Sequence, residues 1–200
     1  MRVSRVQAEV NRQSVINVAS QLFRQHGFDG IGLKDLMAGA GLTQGAFYKQ
    51  FASKNDLAVH ASARAMQASL ERWSDAASGN PEHPLAAVVA FYLSKGHRDE
   101  LQDGCPIVAL SADAARQGPE VKASFEKGIG DLLELVQSWM TPHDDLEARA
   151  RAMAAMSTMV GAVLLSRSVN DPIMADQFLQ AAADSIMAVS ERAPEAVAKS

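Results

Sequence analysis

Glycine and proline punctuate this 200-residue chain at only a few places, and the stretches between them are long and rich in Ala, Leu, Met, Glu and Gln. Those residues lose little conformational freedom on entering a helix. Strand signals are nearly missing: β-branched runs are short, and aromatics make up 6% of residues. The expected fold is therefore all-α. Breaks fall at Gly27, Gly41, Gly79-Asn80-Pro81, Gly118-Pro119, Thr141-Pro142 and Asn170-Asp171-Pro172. They predict about nine helices, over residues 7–26, 33–39, 43–48, 54–78, 85–97, 106–117, 120–140, 146–169 and 173–191. In the first, Val15, Val18, Ala19, Leu22 and Phe23 form one apolar stripe, and Gly27 is placed to end it in the left-handed conformation.

Charge is distributed unevenly. The whole chain carries a formal net charge of -4, yet residues 1–60 hold seven basic and four acidic side chains. That pattern excludes a wholly basic nucleic-acid binder and leaves room for a local basic face. A single cysteine, Cys105, excludes a disulfide framework and any Cys-rich zinc module. The five histidines are scattered without ligand spacing, so no metal and no cofactor is expected. The most apolar stretch, 152–166, is too short for a bilayer span, which takes about 20 residues, and reads as a buried helix. No apolar core for a signal peptide stands at the N-terminus. A soluble cytoplasmic protein with a frayed tail over 192–200 is expected, and no membrane partner.

The most informative stretch is 31–54, I-G-L-K-D-L-M-A-G-A-G-L-T-Q-G-A-F-Y-K-Q-F-A-S-K. It reads as a short helix, a glycine turn and a second short helix, which is helix-turn-helix grammar. Leu33, Leu36, Met37 and Ala40 face one core, and Leu42, Ala46, Phe47 and Phe51 close it from the other side. Thr43 is expected to cap the second helix, and Ser53 the long helix that follows. Thr43, Gln44, Gly45, Tyr48 and Lys49 are left outside, small or polar, as a helix in a DNA major groove requires.

Together with Phe23, Gly27, Phe28, Gly30, Gly41, Lys54 and Leu57, these residues resemble the N-terminal DNA-binding domain of the TetR/AcrR family of transcriptional regulators. The match covers residues 12–57, roughly a quarter of the chain. The resemblance implies a helix-turn-helix domain over 1–55, joined through the long helix to an effector-binding and dimerisation domain over 56–200. It implies phosphate contacts by Tyr48 and Lys54, a phosphate or base contact by Thr43, and base reading by Gln44 and Lys49. Gly45 would let the helix approach closely, and Arg2, Arg5 and Arg12 would add backbone contacts from an N-terminal arm. The chemistry agrees: Tyr, Lys and helix N-termini hold phosphates, while Gln and Lys pair with base edges.

The resemblance further implies a homodimer through the last two helices, a double-stranded inverted-repeat operator and release by a small-molecule effector. Helix 146–169 is apolar nearly all round, which predicts burial on most sides. Trp73, Phe91, Tyr92, Trp139, Met156 and Met159 are candidates for an effector pocket, with His97 and Cys105 as polar members. Aromatic and methionine side chains at helical spacing are equally the makings of an ordinary core. Cys105 opens a helix in Gly104-Cys105-Pro106, where a thiol is acidified, so a redox- or electrophile-sensing repressor is an alternative. Activation in place of repression is another. An enzyme is not expected, because no base and orienting group accompany Cys105 beyond His97.

Overall fold

The computed structural model describes residues 4–140 and 146–191. Among them the chain is all-helical. The helices are α1 (Arg5–His26), α2 (Leu33–Gly39), α3 (Lys54–Ser78), α4 (Pro84–Tyr92), α5 (Lys95–Asp99), α6 (Pro106–Ala114), α7 (Pro119–Ser138), α8 (Leu146–Arg167) and α9 (Pro172–Glu191), with a 3-10 segment (Gln44–Lys49) between α2 and α3. Arg2, the break at Thr141-Pro142 and the 192–200 tail lie outside the described residues.

Three local expectations change. The helix expected over 85–97 is two helices, because the Ser94 hydroxyl accepts the His97 N–H at 3.1 Å and starts α5 afresh. The second short helix is 3-10, and Thr43 stands before it without a side-chain cap. Gly27 has φ 75 but ψ 169, so α1 ends on an extended mirror-image residue and not on a left-handed helical one. Ser53 does cap α3. Its hydroxyl accepts the Asp56 N–H at 3.1 Å, and the Asp56 carboxylate accepts the Ala52 N–H at 2.9 Å. The two bonds tie the start of α3 from both sides, as in a capping box, but with the returning bond on the N–H one residue before the N-cap.

By packing, the chain divides into two compact units. One holds Met1–Ser69 and Leu101–Ile129, the other Leu70–Glu100 and Gly130–Ser200. In the first, α1 packs on α2 and α6, and α2 packs on the 3-10 segment. Its core includes Val15, Phe23, Phe28, Leu36, Phe47 and Leu57, all buried. In the second, α8 lies along α9, and α4 meets α5 and α9. Here α8 departs from expectation. It buries Ala152, Met156, Met159 and Val163, but leaves Met153, Leu164 and Leu165 each 47% exposed. By length and composition α8 is apolar enough to cross a bilayer, a test that core helices also pass.

Candidate nucleic-acid interface

The turn of the helix-turn-helix is fixed by the backbone. At the end of α2 the Leu42 N–H donates to the Met37 carbonyl and the Gly41 N–H to the Ala38 carbonyl, both at 2.9 Å. This paired pattern needs a positive φ at its penultimate residue. Gly41 supplies it, at φ 70. Phe47 is fully buried and stacks 5.5 Å from Phe51, so the 3-10 segment is anchored from below.

Anchoring one face fixes what the other presents. Thr43, Gln44, Gly45, Tyr48 and Lys49 are exposed, and Lys54 is half-buried at the first turn of α3. Tyr48 is 70% exposed, with its ring set edge-on to Phe47 at 5.1 Å. That contact steadies the ring and leaves the face in solvent. The uncapped Thr43 hydroxyl likewise has no role within its own segment. Gly45 has ordinary backbone, and a Cβ built there meets nothing within 4 Å. The fold of the chain itself gives no reason for glycine at this position.

The arginines divide. Arg5 lies exposed in the first turn of α1. Arg12 is not part of a loose arm: it belongs to α1, lies over the Phe51 ring at 4.9 Å, and meets His60 Nε2 at 2.7 Å. Arg24 is buried. Its surroundings are taken up below.

Of the eight residues expected around an effector, four come together as rings. Trp73 meets Tyr92 edge-on at 5.2 Å, and His97 packs against Tyr92 at 4.5 Å and Phe91 at 5.5 Å. Trp73, Tyr92 and His97 are buried and Phe91 is half-buried. His97 Nδ1 lies 2.7 Å from the Tyr92 carbonyl, which fits a neutral ring donating there. Burial pushes His97 down to about 4, with Arg167 and Arg72 adding to the fall and the Tyr92 bond opposing it. Trp139 is half-buried, and Met156 and Met159 are buried on α8. Cys105, 2% exposed, belongs to the other compact unit. A groove of about 560 Å³ does open between α4 and α9, lined by Val89, Leu93, Lys95, Asp176, Leu179 and Gln180 among others, and none of the eight lines it. Among the described residues no group of His, Cys, Asp and Glu has the arrangement of a metal site.

Residues 15–61 match the family described as bacterial regulatory proteins, tetR family. The chain is 26% identical over 128 residues to the HTH-type transcriptional repressor NemR of Escherichia coli K12. That alignment takes in 62% of this chain and 64% of NemR, so it spans just under two thirds of the relative. The HTH-type transcriptional regulator AcrR of Shigella flexneri is 38% identical over 56 residues, which is 28% of this chain and 26% of AcrR. Among solved structures, the reduced form of E. coli NemR superposes with a TM-score of 0.74 at 21% identity, covering 88% of this chain and 95% of that one. A TetR transcriptional regulator from Chloroflexus aurantiacus superposes at 0.77 with 23% identity, covering 94% and 97%. At these identities the superpositions establish the fold.

Proposed function

We propose that the chain, whose residues 15–61 match the tetR family of bacterial regulatory proteins, is a TetR/AcrR-type transcriptional regulator: a cytoplasmic homodimeric repressor released from an inverted-repeat operator by a small molecule. Residues 1–55 carry DNA reading, and 56–200 carry effector binding and dimerisation. It works by occupying a promoter and needs no catalytic group.

The observation that carries this reading is the exposed face of the 3-10 segment, with Gly45 in open space at its start. Glycine costs a helix up to about 1 kcal/mol relative to alanine. Where the fold does not need it, something outside the chain does, and a duplex surface approaching closely is that something. Tyr48 and Lys54 hold phosphates and set the register, with Thr43 beside them. Gln44 and Lys49 read base edges.

Dimerisation through α8 and α9 accounts for the exposed apolar face. Met153, Leu164 and Leu165 are in water in the single chain, and half-buried Gly161 between them has nothing within 4 Å of an added Cβ. A second copy of the same face covers it and gives the dimer two reading segments, one for each half-site of a repeat whose major grooves lie about 34–36 Å apart. The effector belongs to the unit holding α4, α5, α8 and α9, where the aromatic cluster and the open groove both lie. Thiol sensing is the weaker reading. Reactive cysteines are partly exposed, whereas Cys105 is buried.

The test is fluorescence anisotropy with duplexes from the flanks of its own gene, against unrelated DNA, over a salt series. Tight, selective binding that weakens steeply with salt is expected. If no sequence is preferred, even after selection from a random pool, the reading fails. Oxidant-driven release that disappears in Cys105→Ser would instead install the thiol sensor.

A further inference from the structure

The reading segment is positioned by residues well outside it. We propose that Arg24 of α1 and Asp113 of α6 are positioning residues for DNA recognition. Together they clamp the α1–α2 corner of the helix-turn-helix to α6. The inference rests on the reading of 43–49 as the recognition segment.

Arg24 follows Ile16 and Ser20 at four-residue spacing, and all three are buried. A guanidinium taken out of water needs its donors matched. Nε donates to the Ser20 carbonyl at 3.0 Å, and one terminal nitrogen donates to the Gly104 carbonyl at 3.0 Å. The other faces the Asp103 carboxylate at 3.4 Å, which also receives the Gln21 amide at 3.1 Å. Gly104 immediately precedes Cys105, the N-cap residue of α6. The last turn of α1 therefore holds the beginning of α6.

The far end of α6 holds the corner in return. Asp113 Oδ2 accepts the Phe28 N–H at 3.3 Å, and its other oxygen is ion-paired with Arg116. A Cβ on Gly27 would stand 2.5 Å from Asp113 Oδ2 and push the carboxylate away from the Phe28 N–H, and the φ of 75 itself favours glycine. Phe28 is buried edge-on against Phe23 at 5.2 Å, so the fastened N–H belongs to a residue that cannot swing away. Gln117, just past α6, reaches Asp29 at 3.5 Å.

Residues 27–32 are the only covalent link from α1 to α2, and α2 leads directly into the 3-10 segment. Fixing Gly27, Phe28 and Asp29 sets the direction in which α2 leaves α1. The two grips, one at each end of a nine-residue helix, make α6 a splint for the reading head. A small rotation at this corner moves Gln44 and Lys49 off their base edges while Lys and Tyr contacts to phosphates readjust. The clamp therefore governs discrimination more than overall attraction to DNA.

The experiment uses the full-length chain, wild type and the variants Arg24→Met, Asp113→Ala and Asp113→Asn. The probes are the tightest duplex selected by the wild type from random sequence and a scrambled duplex of equal length. Amide hydrogen exchange at Phe28 and the melting temperature are read in parallel. Arg24→Met and Asp113→Ala are expected to lower the ratio of selected to scrambled affinity by roughly tenfold, the size of one lost base contact. Scrambled-DNA affinity at fixed salt should stay within about twofold. Phe28 should lose exchange protection in Asp113→Ala, and Asp113→Asn, whose amide oxygen still accepts, should keep both protection and discrimination. Arg24→Met leaves partners unmatched and will lower the melting temperature, so the Asp113 pair carries the decision. Discrimination unchanged in Asp113→Ala despite lost Phe28 protection overturns the positioning role alone. Equal loss of selected and scrambled binding reduces it to general stability. A wild type with no selected duplex overturns this inference together with the reading it rests on.

Discussion

Gly45 separates what the fold needs from what the function needs. Its added Cβ would meet nothing within 4 Å, and its φ is not positive. Gly45→Ala is therefore expected to leave the melting temperature unchanged or slightly raised, by up to about 0.5 kcal/mol of stability. Affinity for the selected duplex should fall at least tenfold. Calorimetry and anisotropy on one preparation check both halves. A stable variant that binds as tightly as the wild type would remove Gly45 from the interface. His97 makes a different residue-scale prediction. Unfolded, it takes a proton below about pH 6.5, but folded only below about 4. The stability tied to its neutral form is complete above pH 6.5 and is lost as the pH falls towards 4, by up to about 3 kcal/mol. Asp99 and Asp176 are held below the ordinary carboxylate range by hydrogen bonds from Arg98 and Lys95, so they titrate outside this window. His97→Asn keeps a donor for the Tyr92 carbonyl and removes the titration. Its denaturant midpoint should be flatter between pH 6.5 and 4 than that of the wild type.

Short elements depend on side chains that come from far along the chain. Helix α5 spans only five residues. Its C-terminal carbonyls are taken by Arg167 of α8: Nε to the Arg98 carbonyl at 2.7 Å, and one terminal nitrogen to the His97 and Glu100 carbonyls at 3.0 Å. Arg98 and Lys95 both pair with Asp176 of α9, at 2.9 and 2.6 Å. Arg167→Met should cost about 2–3 kcal/mol, since it strips charged donors from partly buried carbonyls. Arg167→Lys should recover only part of that, because an ammonium lacks the guanidinium fork. Chemical denaturation measures both, and a Met variant within 0.5 kcal/mol of the wild type, roughly the noise of a surface change, would refute the capping role. The same element shows where sequence reading runs out. Gly41, Ser53 and the Phe47–Phe51 spacing act on near neighbours, so the helix-turn-helix could be read directly. Ser94 stands where the apolar run 85–93 ends, in a stretch with no proline to mark a new start, and its role becomes visible only once its hydroxyl is seen capping His97. Arg24 is less legible still. Its burial depends on carbonyls and carboxylates about 80 positions away, and no local pattern announces them. Trp73, Phe91, Tyr92 and His97 meet as rings, and helical spacing in the sequence does not distinguish a wall of a pocket from a packed core.

At the scale of the whole molecule, the proposed reading face and the α8–α9 face differ in kind. The reading face is polar and tolerates water. The α8–α9 face, with Met153, Leu164, Leu165, Met174 and Val189 each 44–51% exposed, does not favour it. Exposed large apolar side chains on this helix pair are what the proposed dimer contact would cover. Helix α8 also carries Ala154, Ser157 and Gly161, small enough to let a second helix approach closely. Replacing Leu164 and Leu165 together with Glu puts two like charges where their symmetry mates would sit, at little cost to the exposed positions in a monomer. Sedimentation equilibrium should then give a monomer of about 21.4 kDa where the wild type gives twice that mass. DNA binding should change in kind as well as in strength. A dimer holds its two reading heads in fixed register, so the second contact is nearly intramolecular and carries little further entropic cost. The monomeric variant should keep weak, salt-dependent attraction to any duplex, lose preference for the inverted repeat over a single half-site, and become indifferent to the spacing between half-sites. A monomeric variant that still distinguished half-site spacing would locate the dimer contact elsewhere than α8 and α9. A variant that remained dimeric would do the same, and would leave that apolar face to some other partner.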